Sequence, residues 1–295
     1  NDRLFRSELA SDLRSATEAL DAAAVLRLPA TATFSGGKTR ANQVELLGVD
    51  ESFFKLSPSS KADFDLAKGT VAINRQLAAQ LKVDVGDSVL FRAKKPSNLS
   101  ADAPLAPSED TSAALRLKVA SILGPEAFGD FSLFAAQMAP FNAFVSLDDL
   151  QDRVDAEGKA NLLLMGRAGE KPAIEIEEAD ALFSKLWQLA DLQLSLRDIG
   201  ENGPTELRSD RVFLDNAIVN ALDKGGEPIQ RILTYLVNRI QAGNANTPYS
   251  MATAIYQEDF LDLGEGEAAI NEWLADDLGV SEGDAIDLTY YIVGP

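Results

Sequence analysis

Carboxylates are the main side chains through which this chain could do acid–base or metal chemistry. The sequence has 46 Asp and Glu residues but no His and no Cys. It therefore cannot build a Ser-His-Asp or Cys-His nucleophile system, and a zinc site would need carboxylates alone, an unusual choice for that metal. Among so many acidic residues a close pair is expected by chance. We predict no catalytic, cofactor-binding or metal-binding residue, and we expect that the protein is not an enzyme.

The net charge limits the partners. Lys and Arg number 27 against the 46 acidic residues, which gives a formal charge of -19, and no long basic run interrupts the excess. Such a surface repels phosphate backbones and anionic lipid headgroups. We therefore expect no nucleic-acid partner and no electrostatic docking to a membrane.

Membrane-spanning and signal segments are not recognisable in the sequence. A span needs about 18 consecutive apolar residues, and no stretch here approaches that length. The apolar fraction of 46% and the charged fraction of 25% are ordinary for a packed globular protein. The chain begins at Asn1 without Met, which indicates a processed or excised piece of a longer protein.

An aromatic stretch and a long polar loop are the candidate partner surfaces. Phe128, Phe131, Phe134 and Met138 either pack in the core or form an apolar recognition surface, and the sequence leaves both interpretations open. The loop, residues 94–114, is rich in Pro, Ser and acidic residues and lacks periodicity. This is typical of a long connection between two strands or of a segment that reaches a neighbour.

The elements that position these residues are predicted from periodicity. The spacing of Leu9, Leu13, Ala16 and Leu20 predicts an amphipathic helix over residues 2–24. Extended segments and helices then alternate along the chain, and a polar Gly/Pro segment at 166–172 suggests a boundary. We predict an α+β fold with two mixed α/β subdomains, residues 1–165 and 166–295.

An internal repeat relates the two halves. When residues 69–92 are laid on residues 266–289 at a constant offset of 197, ten of the 24 positions are identical without a gap. The shared residues have mechanical roles: an Asn caps a helix, a Leu-Ala-Leu set lines its inner face, and a Gly-Asp pair turns the chain. Residues 44–54 resemble 250–260 more weakly, so we predict an internal duplication.

Five segments carry a further resemblance in their order and spacing, namely 44–50, 69–81, 85–89, 117–122 and 142–147. This succession resembles the periplasmic core domain of ABC transporter permeases of the MacB, LolC and FtsX group. In that group a helix from the first membrane span leads into a mixed α/β domain, and residues 2–24 would be this stalk. The duplication departs from the usual single core domain, and its second copy either stops short or is cut within a longer region.

The resemblance implies a non-catalytic domain that couples ATP hydrolysis to events outside the membrane. The implied partners are a cytoplasmic ATPase subunit, reached through the membrane part of the protein, and a second permease subunit. The implied location is the periplasmic face of the bacterial inner membrane, with the full-length protein membrane-tethered. A secreted or cell-surface binding module is the alternative, and a carboxylate-only enzyme is the third interpretation.

Overall fold

The structure is a computed structural model that divides into two compact units between Val212 and Phe213. It describes residues 3–18, 20–34, 37–57, 66–96, 112–135, 137–167, 175–200, 203–210, 214–226, 229–256 and 263–291. Most of the predicted 94–114 loop lies outside these residues. In the described part of the chain, no helix is both long and apolar enough to span a bilayer.

The first unit contains most of the strands. Its strands are, in chain order, β1 (Phe5–Arg6), β2 (Leu20–Phe34), β3 (Thr39–Val49), β4 (Thr70–Asn74), β5 (Ser88–Lys94), β6 (Ser112–Leu123), β7 (Phe141–Ser146), β8 (Lys159–Ala160), β9 (Leu162–Arg167), β10 (Leu194–Asp198) and β11 (Thr205–Ser209). Its helices are α1 (Leu9–Ala16), α2 (Glu51–Lys55), α3 (Arg75–Leu81), α4 (Leu147–Arg153) and α5 (Ile176–Leu186). The second unit has α6 (Asn216–Lys224), β12 (Arg231–Ala242), β13 (Ala245–Tyr256), α7 (Glu272–Leu278) and β14 (Asp287–Thr289). The predicted α+β class is confirmed.

The main sheet of the first unit closes on itself. Its strand order is β3-β7-β4-β6-β5-β2-β9, and β2 pairs with β3 as well. The pairs β3–β7 and β4–β6 are parallel, and the other neighbours are antiparallel. The long strand β2 makes this closure because different parts of it pair with β9, β3 and β5.

The core lies inside this closed sheet. In β6 the buried Leu115, Leu117 and Val119 alternate with exposed Arg116 and Lys118, as expected for a strand with one face on the core. Helix α3 packs on β3 with Leu77 and Leu81 fully buried in the same core. The apolar period of two in the strands and of 3.6 in the helix therefore produces one continuous core.

The N-terminal helix is shorter than predicted. Helix α1 ends at Ala16, and residues 20–24 belong to β2 instead of to a helix extending to residue 24. Ala23 and Val25 pack in one hydrophobic cluster, whereas Leu20, Ala22 and Ala24 pack in another. Both faces of this part of β2 are buried, so an Ala-rich segment forms a strand although its Leu20 continues the helical spacing. Helix α1 lies against β2, with Leu13 fully buried.

The boundary between the units also differs from the predicted position near residue 166. Residues 175–210 belong to the first unit, because Leu182 and Leu186 of α5 pack against the cluster that contains Leu9 and Leu13. Arg6 donates from Nη2 to Asp191 Oδ2 at 3.0 Å, and this hydrogen bond raises the pKa of Arg6 above its ordinary value. The first unit therefore continues beyond residue 172 and includes residues 175–210.

The second unit is a three-stranded sheet with a helix on it. The strand order is β13-β12-β14, and all pairs are antiparallel. Helix α7 packs on β13, and its Leu274 and Leu278 are buried with Val237 and Ile240 of β12. The asparagine-capped helix that the repeat predicts here is confirmed, with Asn271 as its cap.

Candidate partner-binding surface

The aromatic stretch lies in the β6–β7 loop, which we define as residues 124–140. The loop starts after Leu123 with a 3-10 helix at Pro125–Ala127. Phe128 follows with a φ of 62°. A Cβ on Gly129 would come within 2.7 Å of the Leu123 carbonyl oxygen. Only glycine therefore fits at this close approach of the chain to itself.

The first two aromatic residues of the stretch form the base of the loop. The ring centroids of Phe128 and Phe131 each lie 5.1 Å from that of Phe53, and 5.3 Å from each other. Phe53 itself is fully buried, and Phe144 of β7 lies on the same cluster at 5.7 Å from it. Such tilted and edge-on ring pairs are favourable beyond the area that they bury. These two Phe side chains therefore hold the loop on the core.

Two buried asparagines hold the loop from the other side. The side chain of Asn142 donates from Nδ2 to the carbonyl oxygens of Gly129 and Phe131 at 2.9 and 2.8 Å. Asn74 donates from Nδ2 to the carbonyl oxygen of Pro140 at 2.7 Å, and its Oδ1 accepts from the backbone N–H of Asn142 at 3.3 Å. Both asparagines are fully buried, so these bonds replace water for backbone groups that solvent does not reach.

Three large apolar residues of the loop point into solvent. Phe134 is 72% exposed and Met138 is 82% exposed, and Leu133 beside them is 44% exposed. The hydroxyl of Ser132 donates to the carbonyl oxygen of Phe134 at 2.7 Å, which shapes the turn that carries the Phe134 ring. We call Leu133, Phe134 and Met138 the loop tip. The tip is a set of large apolar side chains on a base that is fixed by packing and by buried hydrogen bonds.

The four predicted residues therefore fall into two pairs. Phe128 and Phe131 lie in an aromatic cluster, whereas Phe134 and Met138 lie at the exposed tip. Sequence reasoning did not include Leu133, and it treated Asn74 only as a helix cap. It also missed Asn142, for which the sequence gives no signal, since its partners are backbone carbonyls that only the fold brings near.

The acidic side chains of the described residues do not gather into a metal-holding group. Among them, no group of three or more His, Cys, Asp or Glu side chains is placed to hold a metal ion. Glu126 of the loop pairs with Arg75 of α3, and both side chains of this ion pair are exposed. What the loop offers chemically is an apolar contact surface.

Comparisons with known proteins give similarity in structure only. No family model matches the sequence, and no curated protein does. One similar solved structure is the extracellular domain of the noncanonical ABC-type transporter YknZ from Gram-positive bacteria, with a TM-score of 0.39 and 12% identity, covering 62% of this chain and 80% of that chain. Another is the periplasmic region of MacB from Actinobacillus actinomycetemcomitans, with a TM-score of 0.38 and 8% identity, covering 76% of this chain and 85% of that chain. One of these two structures is thus an extracellular domain, and the other is a periplasmic region.

Proposed function

We propose that this chain is the extracytoplasmic domain of an ABC transporter permease and that it has no catalytic role. A cytoplasmic ATPase subunit hydrolyses ATP, and this domain couples that hydrolysis to the handling of a substrate or partner outside the membrane. The full-length protein is tethered at the periplasmic face of the bacterial inner membrane, and a second permease subunit is a further partner.

One observation carries this proposal. The five segments that resemble the permease group supply strands of one closed sheet and the helices that follow those strands. They form, in order, β3, β4 with α3, the turn into β5, β6, and β7 with the start of α4. Strands that are distant in sequence become neighbours, as in the pairs β3–β7 and β4–β6. The resembling residues thus lie at positions that build one sheet, which favours a common fold over a chance match of one motif.

We further propose that the two units are copies of one duplicated element. The side chain of Asn74 accepts a hydrogen bond from the Leu77 N–H at 3.1 Å, and Asn271 accepts from the Leu274 N–H at 2.9 Å. Past the helix, Asp87 Oδ2 accepts from the N–H of residue 84 at 2.8 Å. Asp284 Oδ2 accepts from the N–H of residue 281 at the same distance. The intervening glycines have φ values of 100° and 94°.

The strand partners also support a duplication. In the first unit β2 pairs with β3 on one side and with β5 on the other. In the second unit β12 pairs with β13 on one side and with β14 on the other. Gln43 of β3 and Tyr249 of β13 have φ values of 58° and 53°, and they stand 206 residues apart. The weaker sequence match between residues 44–54 and 250–260 has the same offset of 206. The copies differ at residues 267–270. These residues correspond to β4 in the repeat, but they form no strand.

A graft tests the duplication. Residues 271–284 are replaced by the sequence of residues 74–87, so that every cap, turn and buried leucine of the first copy falls on its counterpart. We expect the second unit to keep a cooperative urea transition, measured by circular dichroism. The matched control inserts residues 73–86 instead, which moves each leucine off the inner face and costs about 2–5 kcal/mol for each buried leucine lost. Equal unfolding of both grafts would contradict the duplication.

We propose that the loop tip is where this domain meets its substrate or partner. Three large apolar side chains at one exposed loop are an unusual arrangement on an acidic surface, and apolar contact sites on soluble proteins commonly mark recognition. Because the base of the loop is fixed, the tip loses little conformational freedom when a partner covers it.

A double substitution at the tip tests this role and the transporter class together. The full-length protein purified from membranes is expected to carry ATPase activity from a co-purified subunit. Phe134→Asp with Met138→Asp should leave assembly and basal hydrolysis unchanged, because both side chains are exposed. It should lower the transport-coupled signal about tenfold or more, since losing apolar contacts at a binding centre costs about 2 kcal/mol or more.

The control is Val85→Asp, a second exposed apolar residue of the first unit with 62% exposure. It should leave the coupled signal unchanged. Absence of an ATP-hydrolysing subunit from the membrane preparation would overturn the transporter class, and release of the protein from cells without a membrane anchor would favour a secreted binding module. Normal coupling in the double variant would overturn the role of the tip alone.

A further inference from the structure

Three buried oxygen acceptors near the base of the β6–β7 loop have no hydrogen-bond partner among the described residues. They are Gln76 Oε1, Asp130 Oδ1 and Asn142 Oδ1, and each is inaccessible to solvent among the described residues. A buried acceptor without a donor loses its bonds to water and gains none, which costs about 1–3 kcal/mol. Three such atoms on neighbouring residues would be satisfied by a ligand that accepts electron pairs, such as a metal cation.

The orientation of the Asn142 amide is fixed by its partners. Its Nδ2 donates to the carbonyl oxygens of Gly129 and Phe131, and exchanging Nδ2 with Oδ1 would place an acceptor against two acceptors. The unpaired atom is therefore an oxygen. Since the two carbonyls belong to the residues on either side of Asp130, the Asn142 side chain lies at that residue of the loop.

Gln76 brings α3 to the same place. Its Nε2 lies 3.5 Å from Asp130 Oδ2, at the limit of a hydrogen bond. Gln76 also follows Asn74 by two residues, and Asn74 accepts from the backbone N–H of Asn142. The three residues thus come from α3, the loop and the start of β7. Gln76 contacts Asp130 itself, and Asn142 contacts the residues on either side of it.

The chemistry of this set fits a hard cation. One water molecule has two protons and cannot donate to three acceptors, whereas Ca²⁺ is held by carboxylate, amide and carbonyl oxygens. The single carboxylate limits the affinity, and extracellular calcium modules bind at about 10⁻⁴–10⁻³ M. The neighbouring Arg75 is paired with Glu126, so its charge is compensated.

We propose that Gln76, Asp130 and Asn142 form a calcium-binding site at the base of the β6–β7 loop. The bound ion joins α3 to the loop and to β7, and so fixes the base that carries Phe134 and Met138. The proposal rests on the three acceptors and does not depend on the transporter assignment.

Thermal unfolding of the chain tests the site. After treatment with a chelator, 10 mM CaCl₂ is expected to raise the Tm of the first unit by about 3 °C relative to NaCl of equal ionic strength. Asp130→Asn should lose most of this rise because it removes the only charge of the site. The matched control, Glu157→Gln, removes an exposed carboxylate of the same unit and should keep the rise in full.

A gain-of-affinity variant completes the test. Gln76→Glu adds a second carboxylate and should lower the CaCl₂ concentration at half-saturation about tenfold, while lowering the Tm in chelator because two carboxylates then face each other. This variant keeps the proposal testable if Asp130→Asn fails to fold. A rise that is not saturable, or that persists unchanged in Asp130→Asn, would reflect general screening of the net charge of -19 and would overturn the proposal.

Discussion

Replacing Phe53 by alanine is expected to lower the free energy of unfolding of the first unit by about 3–5 kcal/mol. The Phe53 side chain is fully buried, and its ring packs on four others, those of Phe54, Phe128, Phe131 and Phe144. Deleting it removes the transfer free energy of the ring and leaves a cavity that its rigid neighbours cannot fill. The loss is a large part of the 5–15 kcal/mol that stabilises a typical domain.

Urea unfolding followed by circular dichroism measures this loss, with Phe134→Ala as the control. Phe134 comes from the same aromatic stretch but is 72% exposed, so its removal should change stability by about 0.5 kcal/mol or less. The contrast between the two variants separates the base of the loop from its tip. Similar effects of both substitutions would show that the tip is buried in solution, and would contradict the assignment of a fixed base and a free surface.

Asn74→Ala is expected to cost about 3 kcal/mol, more than an ordinary helix cap. The side chain serves three backbone groups, the N–H of Leu77, the N–H of Asn142 and the carbonyl of Pro140. Alanine leaves all three buried and unpaired, and each unsatisfied group costs about 1–3 kcal/mol. The start of β7 and the end of the loop should then exchange backbone hydrogens faster, which hydrogen-exchange mass spectrometry measures.

The second unit supplies a matched control for this substitution. Asn271 caps α7 through the Leu274 N–H in the same way, but it is exposed and its side chain makes no further hydrogen bond to the described residues. Asn271→Ala should therefore cost about 1 kcal/mol, the usual worth of a cap. If both alanine variants lost the same stability, the bonds from Asn74 to Asn142 and Pro140 would contribute nothing, and the loop would be held by its aromatic residues alone.

Sequence reasoning worked best where local chemistry determines the structure. The helices at 75–81 and 272–278 begin at asparagine caps and end near left-handed residues, and such signals act within a few residues. A helix whose own sequence contains its cap residues can therefore be predicted without knowledge of the rest of the fold.

The failed prediction at the N-terminus has a long-range cause. Leu20 stands at helical spacing from Leu13, and alanine is the best helix former, so residues 20–24 favour a helix locally. Pairing with β9, which lies more than a hundred residues later, makes them a strand. Tertiary contacts override local propensity here, and no window of neighbouring residues contains that information.

The division of the aromatic stretch was also beyond local reasoning. Phe128, Phe131 and Phe134 are evenly spaced by three residues, but they lie in an irregular loop where spacing does not determine a face. Phe128 and Phe131 are buried because Phe53 and Phe144 lie opposite them, and Asn142 holds the backbone between them. The sequence leaves core packing and an exposed surface both open for this stretch, and the fold decides which half of it is exposed.

The course of β2 determines how the first unit carries mechanical load. This strand has 15 residues, and its pairing passes from β9 over Leu20–Val25 to β3 and β5 further along. A pull along its axis stresses these hydrogen bonds side by side, in shear, so many must break together before the strand slips. We therefore expect a force applied at the start of β2 to be shared among the strands of the closed sheet that pair with it.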